Sequence, residues 1–304
     1  MATRFEIVVC GQNEPASRAA AEEALDEVQR IEAQLSLYRP DSEVAQLNAR
    51  AAREWVRVEP GLFRLLEQAK VLSGETGGAF DITVAPLMRC WGFMGGSGKR
   101  PTKTAIADAR KCVGMNLIEL DGEKFAVHFA CAGVMLDFGA IGKGYAIEKA
   151  VEILRDAGVT SAIIHGGTST VYGFGKPPDE AAWKIAIEAP SQNEQEQPVL
   201  LSVVELHDAA LSVSAVWGKS FAAKGKTYGH IIDPRTGYPA DAADLAAVVL
   251  PSATETDALS TALLTLGVDG HEQIAILRPE IRTLVMKQGT RGKTLIRTHR
   301  MRRL

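Results

Sequence analysis

Cysteine is scarce in this 304-residue chain, and Cys10, Cys90, Cys112 and Cys131 form no CxxC pair and have no histidine at ligand spacing. That speaks against a disulfide scaffold or a zinc cluster and leaves reduced, packed thiols as the expectation. Long apolar runs are absent too: no stretch reaches the ~18 residues needed to span a bilayer. Arg4 and Glu6 interrupt the apolar start Phe5, Ile7, Val8 and Val9, so no basic-then-apolar export signal is read and a cytoplasmic location is expected. Net charge is only -3, which argues against a large nucleic-acid footprint. The locally basic end (Arg291, Lys293, Arg297, Arg300, Arg302, Arg303) reads as a frayed, solvated tail over 291–304.

What is present is an ordinary globular composition, 46% hydrophobic and 23% charged. The length suits one elaborate domain of two lobes, about 1–190 and 191–290, parted at an acidic, Gln-rich segment 191–197 between Pro190 and Pro198. Apolar positions Ala21, Leu25, Val28, Ile31 and Leu35 recur at helical spacing behind Asn13 and Pro15, and Leu62, Leu65, Leu66, Ala69 and Leu72 mark a second helix ending near Gly74. A strand is expected over 5–10. From 134 the chain reads strand (134–138), glycine-rich loop (139–144) and helix (Ile147, Ala150, Val151, Leu154, closed by Gly158). Further strands are expected over 161–164, 183–187, 199–204, 211–214, 245–250 and 283–286, with a helix over 256–266. The mixture reads as α+β.

Four places hold residues with chemistry. The loop Gly139-Ala140-Ile141-Gly142-Lys143-Gly144 joins strand to helix, where helix amides can receive a phosphate and Lys143 adds a full charge. It is neither a Walker A loop nor GxGxxG, so a phosphate site and a bare tight turn both stay open. Asp257 and Thr261 share a helix face, and one carboxylate with one hydroxyl suits Mg2+, which keeps water or phosphate in its other positions. The alternative is that Asp257 merely decorates the first helical turn. His230 to Gly237 packs an imidazole, Asp233 and Arg235 into one turn; His230 has the chemistry of a general base, and a salt-bridged turn with a structural histidine fits equally. In Thr76 to Thr83 a glycine turn precedes Phe80 and Asp81, which either line a nucleotide pocket or fill core.

Five segments stand in order between about Phe5 and about Gly267: Tyr38 to Glu43 with Leu47-Asn48, Gly78 to Thr83 through Trp91-Gly92-Phe93, Leu136 to Gly139 through Lys143-Gly144-Tyr145, His230 to Pro239, and Thr256 to Ala262. As a set they resemble the motifs of the FAD:protein FMN transferase (ApbE) family. The resemblance implies an α+β, ApbE-like fold with mixed or antiparallel sheets and packed helices, its two lobes around a central FAD cleft. It implies FAD as donor, bound by Ala79, Phe80, Asp81, Gly139, Lys143, His230 and Ile231, and Mg2+ held by Asp257, Thr261 and the Gly142 carbonyl. His230, Lys143 and Asp233 form the implied catalytic set. A Thr or Ser hydroxyl of an acceptor protein attacks the FMN-side phosphorus, AMP leaves, and a phosphoester-linked FMN remains. The sequence departs from the family pattern at Gly142, where Ala is frequent, at Ser214-Ala215-Val216-Trp217, and at Gly166 to Thr170. Two other readings keep the same site: an FAD pyrophosphatase that releases FMN and AMP, and a flavin-binding module without turnover.

Overall fold

Strand Leu245–Leu250 is buried on both faces, which is why its sequence is apolar without alternation. It belongs to a seven-stranded sheet whose spatial order follows the chain: Phe5–Val9, Ala162–Gly166, Thr170–Phe174, Ala209–Ala215, Leu245–Leu250, Arg282–Gln288 and Thr294–His299. Every neighbouring pair is antiparallel. The computed structural model of the chain describes residues 3–11, 13–96, 98–190, 197–223, 225–289 and 294–303. The sheet draws strands from both sides of residue 190. Of the segment expected to part the lobes, 191–196 lies outside the described residues.

The two-residue period of each strand sorts its side chains onto two faces. Ala162, Ile164, Tyr172, Phe174, Ala246, Val248 and Leu250 enter the main core with helices Glu14–Leu35, Gly142–Asp156 and Ala253–Leu266. The intervening Ile163, Val171, Leu211, Leu245, Ala247 and Val249 are covered by a hairpin of Trp183–Ala189 and Val199–Leu206, through Ile187, Leu201, Val204 and Leu206. A smaller cluster of Leu87, Trp91, Ile106, Tyr228 and Ile232 joins the 84–93 region to the hairpin Ser220–Ala223/Lys226–Gly229. Among the described residues, no helix is long and apolar enough to cross a membrane.

The helical periodicities correspond to Glu14–Leu35, capped by the Asn13 side chain, to Pro60–Glu75, and to Gly142–Asp156, followed by Gly158 at φ +80°. Three expectations need correction. The helix expected from 256 begins at Ala253, because Ser252 caps it by accepting from the Glu255 amide at 3.2 Å. The expected strand 134–138 joins no sheet. Its apolar run is buried as an extended segment held by an asparagine: Asn48 Oδ1 accepts from Leu136 N at 2.8 Å, and Asn48 Nδ2 donates to Leu136 O at 3.1 Å. A carboxamide supplies the donor and acceptor that a neighbouring strand would otherwise provide.

Of the basic end, 291–293 and 304 lie outside the described residues, and 294–303 is not frayed. Thr294–His299 pairs along Arg282–Gln288 as an edge strand, Met301 is buried against the hairpin face, and Ser202 Oγ donates to Arg302 O at 2.6 Å. Its charges are those of an edge strand, whose outward side chains are solvated.

Replacing Asn48 with Ala leaves the buried N–H and C=O of Leu136 without partners. At about 1 to 3 kcal/mol for each of the two unpaired buried groups, we expect Asn48→Ala to lower stability by roughly 2 to 6 kcal/mol in urea unfolding. A change below about 0.5 kcal/mol would contradict the bracing role.

Candidate active site

Two helices begin almost in contact. Gly144, in the first turn of Gly142–Asp156, lies so close to Ala253–Leu266 that a Cβ there would collide with the Ala253 carbonyl and stand 2.9 Å from Asp257 Cβ. Only glycine permits this approach. Glu148, one turn further, fixes it, its Oε2 accepting from Ser252 Oγ and Thr254 N at 2.9 Å each and from Thr254 Oγ1 at 2.6 Å.

Asp257 is thereby enclosed, with 2% of its surface exposed. This excludes the reading in which it decorates a first turn. A buried carboxylate must be compensated, and five contacts do so. Lys143 Nζ reaches Oδ1 and Oδ2 at 3.0 and 3.3 Å, Gly144 N donates to Oδ2 at 3.1 Å, and Thr170 Oγ1 and Ser212 Oγ each donate to Oδ1 at 3.3 Å. Hydroxyls continue the network, Ser260 to Ser212 at 3.3 Å and Ser214 to Ser260 and Thr261 at 2.9 and 3.2 Å. Thr261 is half-buried one turn beyond Asp257, and Gly142 is buried at the start of its helix.

The loop before Lys143 is folded on itself more than a free anion cradle would be. Ile141 N and Gly142 N both donate to Phe138 O, at 3.1 and 2.7 Å, and Gly144 N is taken by Asp257. The loop's cationic group is Lys143, which also touches Gly139 O at 3.4 Å. Gly139 N in turn donates to Asp137 Oδ1 at 2.8 Å.

His230 faces this loop. Lys219 O accepts from its backbone amide at 3.1 Å and lies 3.0 Å from Nδ1. A carbonyl only accepts, so Nδ1 carries the proton and Nε2 presents its lone pair. Burial lowers the imidazole pKa below its ordinary value; the Lys219 and Lys143 charges act the same way, while the bond to Lys219 O and the charge of Asp137 oppose them. Asp137 itself is pushed up by burial, against the Gly139 amide and the nearby His230 and Lys219. His230 therefore lies within electrostatic reach of both Lys143 and Asp137.

Other expected residues take up different positions. Asp233 is bonded within its own turn, both oxygens meeting Arg235 Nε and Nη2 at 2.9 Å, and Oδ1 also meeting the Arg235 amide at 2.9 Å. It shapes the turn. Trp91 Nε1 donates to Gly237 O at 2.8 Å and seats that turn on the smaller cluster. Ile231 is partly buried against the main core, and its carbonyl accepts from Ala240 N at 2.8 Å. Ala79 and Phe80 are core residues. Asp81 accepts from Thr83 N and Oγ1 at 2.8 and 2.6 Å and from Met115 N at 3.1 Å, and burial raises its pKa against these bonds. Asn48, Asp137, Lys219, Thr170, Ser212 and Ser260 were not among the expected site residues. A signal for one of them was present: Ser212 and Ser214 alternate in an otherwise apolar strand, placing two hydroxyls on one face.

Among the described residues no three His, Cys, Asp or Glu side chains gather as a metal site. The junction instead offers one carboxylate with hydroxyls and backbone carbonyls, all hard oxygens.

The family model described as the ApbE family matches residues 1–285. The chain belongs to the ApbE family. An FAD:protein FMN transferase of Treponema pallidum (strain Nichols) is 33% identical over 273 residues, covering 86% of this chain and 74% of that protein. One of Klebsiella pneumoniae (strain 342) is 28% identical over 310 residues, covering 97% and 84%. The apo form of Pseudomonas stutzeri flavinyl transferase ApbE superposes with a TM-score of 0.82 at 28% identity, covering 98% of this chain and 95% of that one. The Thermotoga maritima ApbE protein gives 0.85 at 28% identity, covering 96% and 93%. The α+β, ApbE-like fold inferred from sequence is the fold observed.

With Lys143 depressing the imidazole pKa, its removal has a definite sign. We expect the His230 midpoint in an NMR titration to lie below about 6.5, and Lys143→Met to move it upward. A midpoint unchanged by Lys143→Met would separate the two residues electrostatically.

Proposed function

We propose that this ApbE-family chain is an FAD:protein FMN transferase, moving the FMN half of FAD onto a Thr or Ser hydroxyl of an acceptor protein with release of AMP. The observation that carries the reading is the place of Lys143, which bonds the buried Asp257 carboxylate on one side and lies within electrostatic reach of His230, with Nε2 unprotonated, on the other. Binding a flavin would not require a base, and a pyrophosphate-cleaving transfer does.

His230 Nε2 takes the proton of the acceptor hydroxyl as its oxygen bonds to the FMN-side phosphorus. The bond from that phosphorus to the bridging oxygen breaks, and AMP departs with the electron pair. Lys143 faces the charge gathering on the transferring phosphoryl group. Asp137 and Gly139 hold the loop in shape, and the Lys219 carbonyl keeps the imidazole in the base tautomer. The chemistry of the donor set fits Mg2+: Asp257, Thr261 and the Gly142 carbonyl supply hard oxygens with a single negative charge, leaving coordination positions for phosphate. Seated there, the ion would neutralise phosphate charge. Because Ala79, Phe80 and Asp81 turn inward, their contribution to flavin binding falls to the backbone of the 77–81 turn.

Incubation with FAD, Mg2+ and a candidate acceptor should give an FMN-sized mass increase on the acceptor and AMP in solution. Free FMN would instead support hydrolysis, and unchanged FAD would support binding alone. His230→Ala should lower the rate about 10²- to 10⁴-fold while FAD still binds. Asp257→Asn should abolish the response of the rate to Mg2+ while the protein stays folded by circular dichroism; an intact Mg2+ response would refute the ligand assignment. The base must be neutral, so the rate falls as pH drops through the lowered imidazole pKa. The acid limb of kcat/KM should therefore lie below about 6.5.

A further inference from the structure

Two of the four cysteines lie on segments that pack together. Cys112 lies in the turn after helix Lys103–Arg110 and Cys131 just beyond strand Ala126–Phe129. Cys112 Sγ donates to the carbonyl of Ala132, the residue after Cys131, at 3.5 Å, and the influence of Cys131, beside burial, raises the Cys112 pKa. Gly133, at φ +97°, makes the space, since a Cβ there would stand 2.8 Å from the Cys112 sulfur. The backbone on either side is pinned. Ala130 N donates to Leu117 O at 2.9 Å, Gly114 N to Thr83 Oγ1 at 2.6 Å, and Met115 N to Asp81 Oδ2 at 3.1 Å. The Cys112 sulfur is thus held against the backbone that follows Cys131, and both cysteines are partly exposed, within reach of a small reagent.

We propose that Cys112 and Cys131 form a reversible redox modification site, which a low-molecular-weight disulfide of the oxidised-glutathione class converts into an intramolecular disulfide. The Cys131 thiolate attacks one sulfur of the reagent, whose S–S bond breaks and releases one thiolate. Cys112 gives its proton to solvent and attacks the Cys131 sulfur of the mixed disulfide, expelling the second thiolate. Two protein thiols become one disulfide, and the two electrons leave in two molecules of reduced reagent. Burial and the neighbouring Cys131 raise the Cys112 pKa, so the first attack falls to Cys131 and Cys112 attacks only after losing its proton. The bond ties the turn that is bonded to Asp81 and Thr83 to the lead-in of the extended segment ending at Gly139. Oxidation therefore ties these two segments to each other and constrains the unfolded chain.

The test uses the folded full-length chain and the Cys10→Ser/Cys90→Ser variant, in which the pair is the only source of thiols. Oxidised glutathione should remove both thiols of that variant, lower its mass by two hydrogens, and yield a non-reducing peptide map linking 112 to 131. The melting temperature should rise and fall back on reduction, a shift that Cys131→Ser lacks. Unresolved glutathione adducts on either cysteine, a linkage involving Cys10 or Cys90 in the unsubstituted chain, or closure only in denaturant would overturn the proposal.

Discussion

The close approach of Gly144 to Ala253 and Asp257 sets the geometry on which the site depends. Two helix starts converge because one residue lacks a Cβ and because Glu148 bonds the cap of the other helix. Convergence drives a carboxylate out of water, and that burial demands compensation. Lys143, the Gly144 amide and two hydroxyls provide it. A charge so placed is poorly explained by stability, since an apolar pair of similar volume often serves folding as well. On the proposed function it is a fixed negative point from which a cation and a phosphate would be organised.

The opposite wall is held by different means. The His230 turn is tied to Gly237 by a buried tryptophan indole, stiffened by the Asp233–Arg235 pair, and oriented by the Lys219 carbonyl. The imidazole thus arrives with its tautomer chosen and its pKa lowered by burial. The segment between the walls, 134–138, has no sheet partner and relies on Asn48, so the motif containing Asn48 serves the site through the backbone. On the proposed function, such backbone and side-chain supports are what a preorganised phosphoryl-transfer site requires.

Much of this was legible in the chain because it rests on local periodicity. The 3.6-residue spacing of Val28, Ile31 and Leu35 and the unbroken apolar run 245–250 each imply their element. The Asp257/Thr261 spacing announces a shared helix face. Long-range pairings were not legible. Nothing local distinguishes an apolar run satisfied by a distant asparagine from a strand, so 134–138 was misassigned. Charge hid the edge strand Thr294–His299, because its outward side chains are as polar as a tail's. Thr170 and Ser212 meet the Asp257 carboxylate, and Ser260 meets Ser212, only after a sheet and a helix pack together. The partner of His230 is a backbone carbonyl, which no side-chain pattern records. Asp81 and Asp233 show the converse: a carboxylate inside a motif can belong to the turn that carries the motif.

The central claim is that the pyrophosphate of FAD sits between Lys143 and the Asp257 junction, with His230 beside it. Anomalous diffraction from crystals grown with FAD and Mn2+ in place of Mg2+ tests it most directly. The account predicts one metal peak in contact with the Asp257 carboxylate and the Thr261 hydroxyl, with diphosphate oxygens near Lys143. A peak remote from Asp257, or a dinucleotide bound outside this cleft, would contradict it.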